Sequence, residues 1–498
     1  MNALSVAGLN VYIRDHQILK NVNFAVESGS AVGIVGESGS GKTILAKSLI
    51  GLLPGGGRPE GEYRIGAEEV PLAASEKEWR KIRGKRIGLI LQDPSTALEP
   101  LGKCGTQILE GVPKENRKAF DVAEALAEVG LSADVQHRYP NEISGGQRQR
   151  VVIAASLATE PELLIADEAT TSLDVVTQKE ILDLIDEIRE KRKMPLIIIS
   201  HDIGLVSDRT DYAVVMQEGE IVEEGPVAEL IANPRTDYAK KLIEADRVLF
   251  TSDYREAPKD GSLVVVAESL KKSFEGAVAL DEVSVEVRRG ECVGIVGESG
   301  SGKTTFARCL VGLERPDSGT IEYTGKGHPQ MIFQDPYSSL NPSHTIKYIL
   351  LEAIRAAGYP QEESKKKLSE MLSLAELREE LLSRKPDSLS GGQRQRVAIA
   401  RALALESELL ICDESVSALD VIVQNQILDT IEGLRREKGL AVLFITHDLS
   451  VARRIADRIY VMRGGRVLEH GTVRNIFEAP KEAYTKELLE AAFAAGHL

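Results

Sequence analysis

Five motifs occur twice, in the same order, along this chain of 498 residues. VGIVGESGSGKT at 32–43 returns at 293–304, LQDPSTALEP at 91–100 as FQDPYSSLNP at 333–342, and ISGGQRQRV at 143–151 as LSGGQRQRV at 389–397. LLIADEATTSLD at 163–174 returns as LLICDESVSALD at 409–420, and IISHD at 198–202 as FITHD at 444–448. The pairs Ser144/Ser390, Asp167/Asp413 and His201/His447 each lie 246 residues apart. A solenoid repeats every ~20–50 residues, so this interval means two homologous domains rather than a stacked array.

The other intervals locate the differences. Lys42 and Lys303 are 261 apart and Gln92 and Gln334 are 242 apart. The first copy therefore carries 19 extra residues between its glycine loop and its glutamine, and the second regains 4 before SGGQ. The stretch FTSDYREAPKDGS at 250–262 is polar, holds Pro258 and Gly261 and has no apolar period, so it reads as a linker. This places domains at 1–248 and 263–498, with a linker at 249–262.

Within each copy, short apolar runs alternate with helical patterns. Ser30–Val35 reads as a strand feeding the glycine loop and Lys42–Leu53 as the helix after it. Leu163–Ala166 and Leu196–Ser200 are unbroken apolar runs, which suit strands covered on both faces. The result is an α/β layer fold. Helix-rich pieces are expected at Asn116–Gly130 and Glu362–Leu382, between glutamine and SGGQ.

Each glycine loop fits GxxxxGK[ST]: Gly36, Glu37, Ser38, Gly39, Ser40, Gly41, Lys42 and Thr43, then Gly297, Glu298, Ser299, Gly300, Ser301, Gly302, Lys303 and Thr304. Such a loop wraps its backbone N–H groups around a phosphate chain and aims a helix N-terminus at the anion. Lys42 and Lys303 would reach the β- and γ-phosphates, and the Thr43 and Thr304 hydroxyls would bind Mg²⁺. Each apolar run at 163 and 409 ends in two carboxylates. Neighbouring strand residues diverge. Asp167 and Asp413 are assigned to the metal, Glu168 and Glu414 to the attacking water as general bases. His201 and His447 follow a second apolar strand and would reach the γ-phosphate. Ser144, Gly145, Gly146 and Gln147, with Ser390, Gly391, Gly392 and Gln393, read as a serine N-cap opening a second phosphate-binding helix. A lone SGG is any flexible turn; SGGQ placed 23 residues before each carboxylate pair is specific.

Charge and composition narrow the setting. The net charge of −15 argues against a general nucleic-acid binder, and none is expected as a partner. No run of about 18 apolar residues codes a membrane span, and the first residues meet charges too early for a secretory signal. The chain is expected in the cytoplasm. The four cysteines Cys104, Cys292, Cys309 and Cys412 form no CxxC pair, so neither metal nor disulfide framework is expected.

Together these motifs resemble the ATP-binding-cassette superfamily along the whole chain. The resemblance implies two P-loop domains, each a RecA-like core with an antiparallel β subdomain and a helical insert. It makes Gln92 and Gln334 the Q-loops, which join Thr43, Asp167, Thr304 and Asp413 around Mg²⁺. It also likens Ser172-Leu173-Asp174 and Ala418-Leu419-Asp420 to D-loops. It implies two ATP molecules held head to tail, Lys42 working with Ser390 and Lys303 with Ser144. An aromatic ahead of the glycine loop stacks on adenine in the family; Phe274 stands at that place in copy two, while copy one has Ile13 at the equivalent spacing, with Tyr12 beside it as the candidate aromatic. QDPxxxLxP, YPNEISGGQRQR and the tail GEIVEEGP…NPRTDYAKKLI are similar to ATPases of peptide and nickel importers. That similarity implies two membrane permease subunits, an extracytoplasmic solute-binding protein and a place on the inner face of the membrane. The loops Ser95–Leu101 and Tyr337–Ser343 are the expected contacts with the permease. A soluble tandem cassette that assembles an enzyme complex, or serves translation or repair, is the alternative.

Overall fold

The computed structural model describes residues 2–170, 173–255, 258, 261–335, 339–417 and 419–493. They form two compact units, one over 2–170, 173 and 177–246, the other over 174–176 and the described residues of 247–493. The division falls inside helix Asp237–Thr251, so the start of the stretch read as linker is helical.

In the first unit a six-stranded sheet runs in the order Glu220–Pro226, Tyr212–Gln217, Ala31–Val35, Leu196–Ser200, Leu163–Asp167, Ile87–Ile90. All neighbours are parallel except the edge strand Glu220–Pro226. The three central strands are buried at every residue, which is why they read as unbroken apolar runs. A separate antiparallel sheet is built from His16–Glu27, Asn2–Ile13, Gly57–Ile65 and Glu68–Glu69. Here apolar residues alternate: Leu4, Val6, Leu9 and Val11 are buried and pack with Leu45 and Leu49 of the glycine-loop helix and with Ile34, Ile165 and Ile197. The helical insert comprises Cys104–Gly111, Val122–Glu128 and Gly145–Leu157.

The second unit repeats this plan. Its six-stranded sheet runs Gln330–Ile332, Leu409–Asp413, Ala441–Thr446, Cys292–Val296, Arg458–Arg463, Arg466–Thr472, again with an antiparallel last strand. Its antiparallel sheet has three described strands, Ala277–Arg288, Leu263–Phe274 and Ser318–Tyr323. Helices Ile346–Ala356, Gln361–Leu374 and Gly391–Leu403 form the insert around a core of Leu340, Ile346, Leu350, Ile354, Met371 and Val397.

Both units thus have the RecA-like sheet, antiparallel subdomain and helical insert expected from sequence. Local boundaries differ. The helix after the first glycine loop ends at Leu49, not Leu53, because Gly51 takes a left-handed φ of 64° and Arg83 caps the Ile50 and Gly51 carbonyls at 2.7 and 2.8 Å. The inserts also begin earlier than expected, with helices at 104 and 346.

The extra residues of the first copy have a packing role. They include helix Glu76–Trp79, and Trp79, 4% exposed, stacks on Tyr63 with ring centroids 6.4 Å apart. Gly51 lies so close that a Cβ there would stand 2.2 Å from the indole. Trp79→Ala is expected to cost about 3–5 kcal/mol of this unit's stability through the cavity it leaves. A denaturant midpoint unchanged from wild type would show that the segment contributes no core. Among the described residues, no helix is long and apolar enough to cross a membrane.

Candidate functional site

Each site starts at the strand end that delivers the glycine loop. Gly36 and Gly297 pass so near the next strand that a Cβ would lie 2.2 Å from the Met216 carbonyl oxygen and 2.1 Å from that of Met462. Gly41 and Gly302 open their helices at φ 102° and 100°, which favours glycine. The helices then begin on Lys42 and Lys303, both buried. Lys42 Nζ donates to the Gly36 and Glu37 carbonyls at 2.7 and 3.0 Å; Lys303 Nζ donates to those of Gly297 and Glu298, both at 2.8 Å. Burial draws the Lys303 ammonium pKa down against the nearby Glu414 and Asp413 carboxylates. Ser40 Oγ is buried with no hydrogen-bond partner, an orphan that fits a phosphate oxygen.

The carboxylates diverge as expected. Thr43 Oγ1 donates to Asp167 at 3.4 Å and Thr304 Oγ1 to Asp413 at 3.1 Å. Burial, then the Glu168 charge, pushes Asp167 up to about 6; burial pushes Asp413 up to about 6 as well. A hydroxyl beside a carboxylate whose charge burial disfavours is an oxygen-donor pair that a small hard cation would relieve.

The next residue turns the other way. Glu168 and Glu414 take left-handed backbone angles, φ 47° and 46°, a strain that recurs at functional positions. Gln92 Nε2 donates to Glu168 at 2.7 Å and Gln334 Nε2 to Glu414 at 2.8 Å. His201 Nδ1 lies 3.7 Å from Glu168 and His447 Nδ1 3.4 Å from Glu414. Burial alone would lower both imidazoles, but contact with the glutamate overrides it and raises their pKa. Burial would raise Glu414, and His447 reverses that, leaving the carboxylate below its ordinary range. Glu414 is thus held ionised between an amide donor and a histidine, the state a proton acceptor needs, and Glu168 has the same two neighbours. Lysine, threonine, aspartate, glutamate, glutamine and histidine converge at one sheet end in each unit.

The SGGQ segments sit on a different element. Ser144 Oγ accepts from Gln147 N at 3.3 Å while Gln147 Oε1 accepts from Ser144 N at 3.1 Å, and Ser390 with Gln393 repeats both distances. This capping box opens helices Gly145–Leu157 and Gly391–Leu403. Gly146 and Gly392 are demanded by packing, since a Cβ would meet Thr177 at 2.6 Å and Val423 at 2.4 Å. Asp420 caps helix Val421–Lys438 through Val423 N at 3.0 Å. Ser172 and Ala418 of the expected D-loops, and Pro336, Tyr337 and Ser338 of the second glutamine loop, lie outside the described residues.

The hairpin ahead of each glycine loop also approaches it: Gly302 lies against the Ala279 carbonyl and Gly41 against Leu19. Phe274 pairs with Ala277 and is 42% exposed, with Lys272 Nζ 5.1 Å from its ring centroid. In the first unit Ile13 pairs with His16 and Tyr12 with Gln17. Tyr12 is therefore the counterpart of Ser273, and Ile13 that of Phe274, on opposite faces of the strand.

One pair of residues escaped the sequence reading. Tyr238 and Tyr484, on the last helix of each unit, bind the glycine loops through their hydroxyls. Their recurrence 246 residues apart was the available signal.

Comparison with known proteins agrees with this geometry. The family described as ABC transporter matches residues 19–171 and 280–417. A glutathione import ATP-binding protein, GsiA of Salmonella choleraesuis, is 36% identical, the match covering 98% of this chain and 89% of that protein. An oligopeptide transport ATP-binding protein, OppD of Mycobacterium bovis, is 34% identical over 95% of each chain. Among solved structures, the archaeal ribosome recycling factor aABCE1 in complex with the stalk protein aP1 aligns over 96% of both chains with a TM-score of 0.65. At 22% identity that likeness speaks for the fold alone. With the family model matched twice and near full-length relatives at 34–36% identity, the chain belongs to the ABC transporter family and is an ATPase.

Proposed function

We propose that this chain powers import of peptides or peptide-like small solutes through separate permease subunits on the inner face of the membrane, with an extracytoplasmic binding protein delivering the solute. The observation that carries this reading is the near full-length similarity to proteins named for glutathione import and oligopeptide transport. ATP binds at each glycine loop, where Thr43, Gln92 and Asp167 would hold Mg²⁺ in the first site and Thr304, Gln334 and Asp413 in the second. The ion would supply neutralisation of phosphate charge. Lys42 and Lys303 leave their backbone carbonyls for the phosphates. Glu168 and Glu414 accept the proton of the attacking water, and His201 and His447 reach the terminal phosphate. Each site is completed by the SGGQ helix of the other cassette, so that ATP binding closes the pair and hydrolysis reopens it.

Coupling to the permease runs through the glutamine loops. Support comes from an apolar groove of about 310 Å³ in the first unit, lined by Leu52, Leu89, Leu91, Leu98 and Val152. It lies beside Gln92, so a partner seated there is next to a residue that touches the catalytic glutamate. In the same loop Leu101 is 85% exposed. Leu101→Asp is expected to leave basal hydrolysis unchanged, abolish stimulation by the reconstituted permease and stop solute uptake. Unaltered uptake with both 95–101 and 337–343 replaced would overturn this coupling and favour a role outside transport.

A further inference from the structure

The two tail tyrosines share a geometry that suggests a role in nucleotide binding. Tyr238 is the second residue of helix Asp237–Thr251 and Tyr484 the second of helix Ala483–Phe493. Both are buried. The Tyr238 hydroxyl accepts a hydrogen bond from Glu37 N–H at 2.7 Å, and the Tyr484 hydroxyl accepts one from Glu298 N–H at 3.0 Å. The peptide group that supplies this N–H is also the one whose carbonyl holds the lysine. Gly36 O accepts from Lys42 Nζ at 2.7 Å, and Gly297 O from Lys303 Nζ at 2.8 Å. A peptide unit is rigid and planar. A tyrosine fixing one end therefore fixes the direction of the other, and with it the lysine.

We propose that Tyr238 and Tyr484 are positioning residues of the two ATP sites: each holds the first peptide plane of its glycine loop in the orientation that keeps the lysine poised for phosphate. Glycine at 36 and 297 leaves this plane easy to rotate, so an external tie is needed to hold it. The tie is itself anchored. Glu223 of the edge strand accepts from the N–H groups of Arg235 and Thr236, both at 2.8 Å, just before the Tyr238 helix. Glu469 accepts from Lys481 N at 2.9 Å and Glu482 N at 3.1 Å, just before Tyr484. In the second unit Arg463 adds a brace, its guanidinium 4.4 Å from the Tyr484 ring centroid and its Nε 3.6 Å from Glu298. Gln217 occupies the matching place in the first.

The test uses the full chain and Mg-ATP. Tyr→Phe removes only the hydroxyl and leaves the ring packed. The double variant Tyr238→Phe/Tyr484→Phe is expected to raise KM for ATP about three- to tenfold, the factor of one ordinary hydrogen bond, because only a fraction of loops then present the competent plane. kcat at saturating ATP and the melting temperature stay at wild-type values. Glu223→Gln combined with Tyr238→Phe should add nothing beyond Tyr238→Phe alone, since both act through one contact. A KM equal to or below wild type overturns the proposal, whatever the melting temperature does. So does a fall in kcat as large as the rise in KM, which would mark a general loosening of the site.

Discussion

Glu168→Gln and Glu414→Gln are each expected to remove most hydrolysis at their own site and to leave ATP bound there. The physical basis is the arrangement around each carboxylate. The strained backbone at φ 47° and 46° turns the glutamate away from its aspartate neighbour, the glutamine donates to it, and the histidine lies 3.7 Å from Glu168 and 3.4 Å from Glu414, where it holds the Glu414 carboxyl below its ordinary range. Glutamine preserves the volume and a hydrogen-bonding oxygen but cannot accept the proton of the attacking water. Loss of a positioned base costs about 10²–10⁴-fold. Lys42, Thr43 and Asp167 are untouched by the change, so binding survives while turnover falls. Single-turnover hydrolysis and retained nucleotide, measured on each single variant, check this. Full activity in either would show that site to be silent or its base to be another residue.

The second large effect concerns the serines of SGGQ. Ser390→Arg is expected to disable the site built on Lys42, and Ser144→Arg the site built on Lys303. In each unit the serine caps its own helix within a reciprocal capping box. Arginine removes that cap and fills the helix end, where the aligned N–H groups favour an anion. If the two cassettes work head to tail, the damage appears at the partner cassette's phosphate groups. Site-resolved nucleotide trapping distinguishes the cases. Damage from Ser390→Arg confined to the Lys303 site would refute the head-to-tail arrangement.

Sequence alone determined the duplicated α/β plan and most of the proposed site. Phosphate and metal chemistry needs particular residue types at short local spacings, such as GxxxxGK[ST] ahead of a helix or two carboxylates ending a buried strand. Those spacings survive in the linear order, and buried parallel strands announce themselves as apolar runs. Only the tertiary structure decided what depends on pairs distant in the chain. Glu37 and Tyr238 are 201 residues apart, and no local pattern reveals that a tail hydroxyl meets a loop N–H. The hairpin register is similar in kind: spacing already matched Ile13 to Phe274, and strand pairing keeps that match and puts the aromatic Tyr12 on the opposite face, because successive side chains face opposite sides and one residue of slip reverses them all. Trp79 shows the same limit, since the extra residues of the first copy read as an insertion until packing seated the indole between Tyr63 and Gly51. Local chemistry is written in neighbouring residues, whereas contacts between remote segments exist only once the core has brought them together.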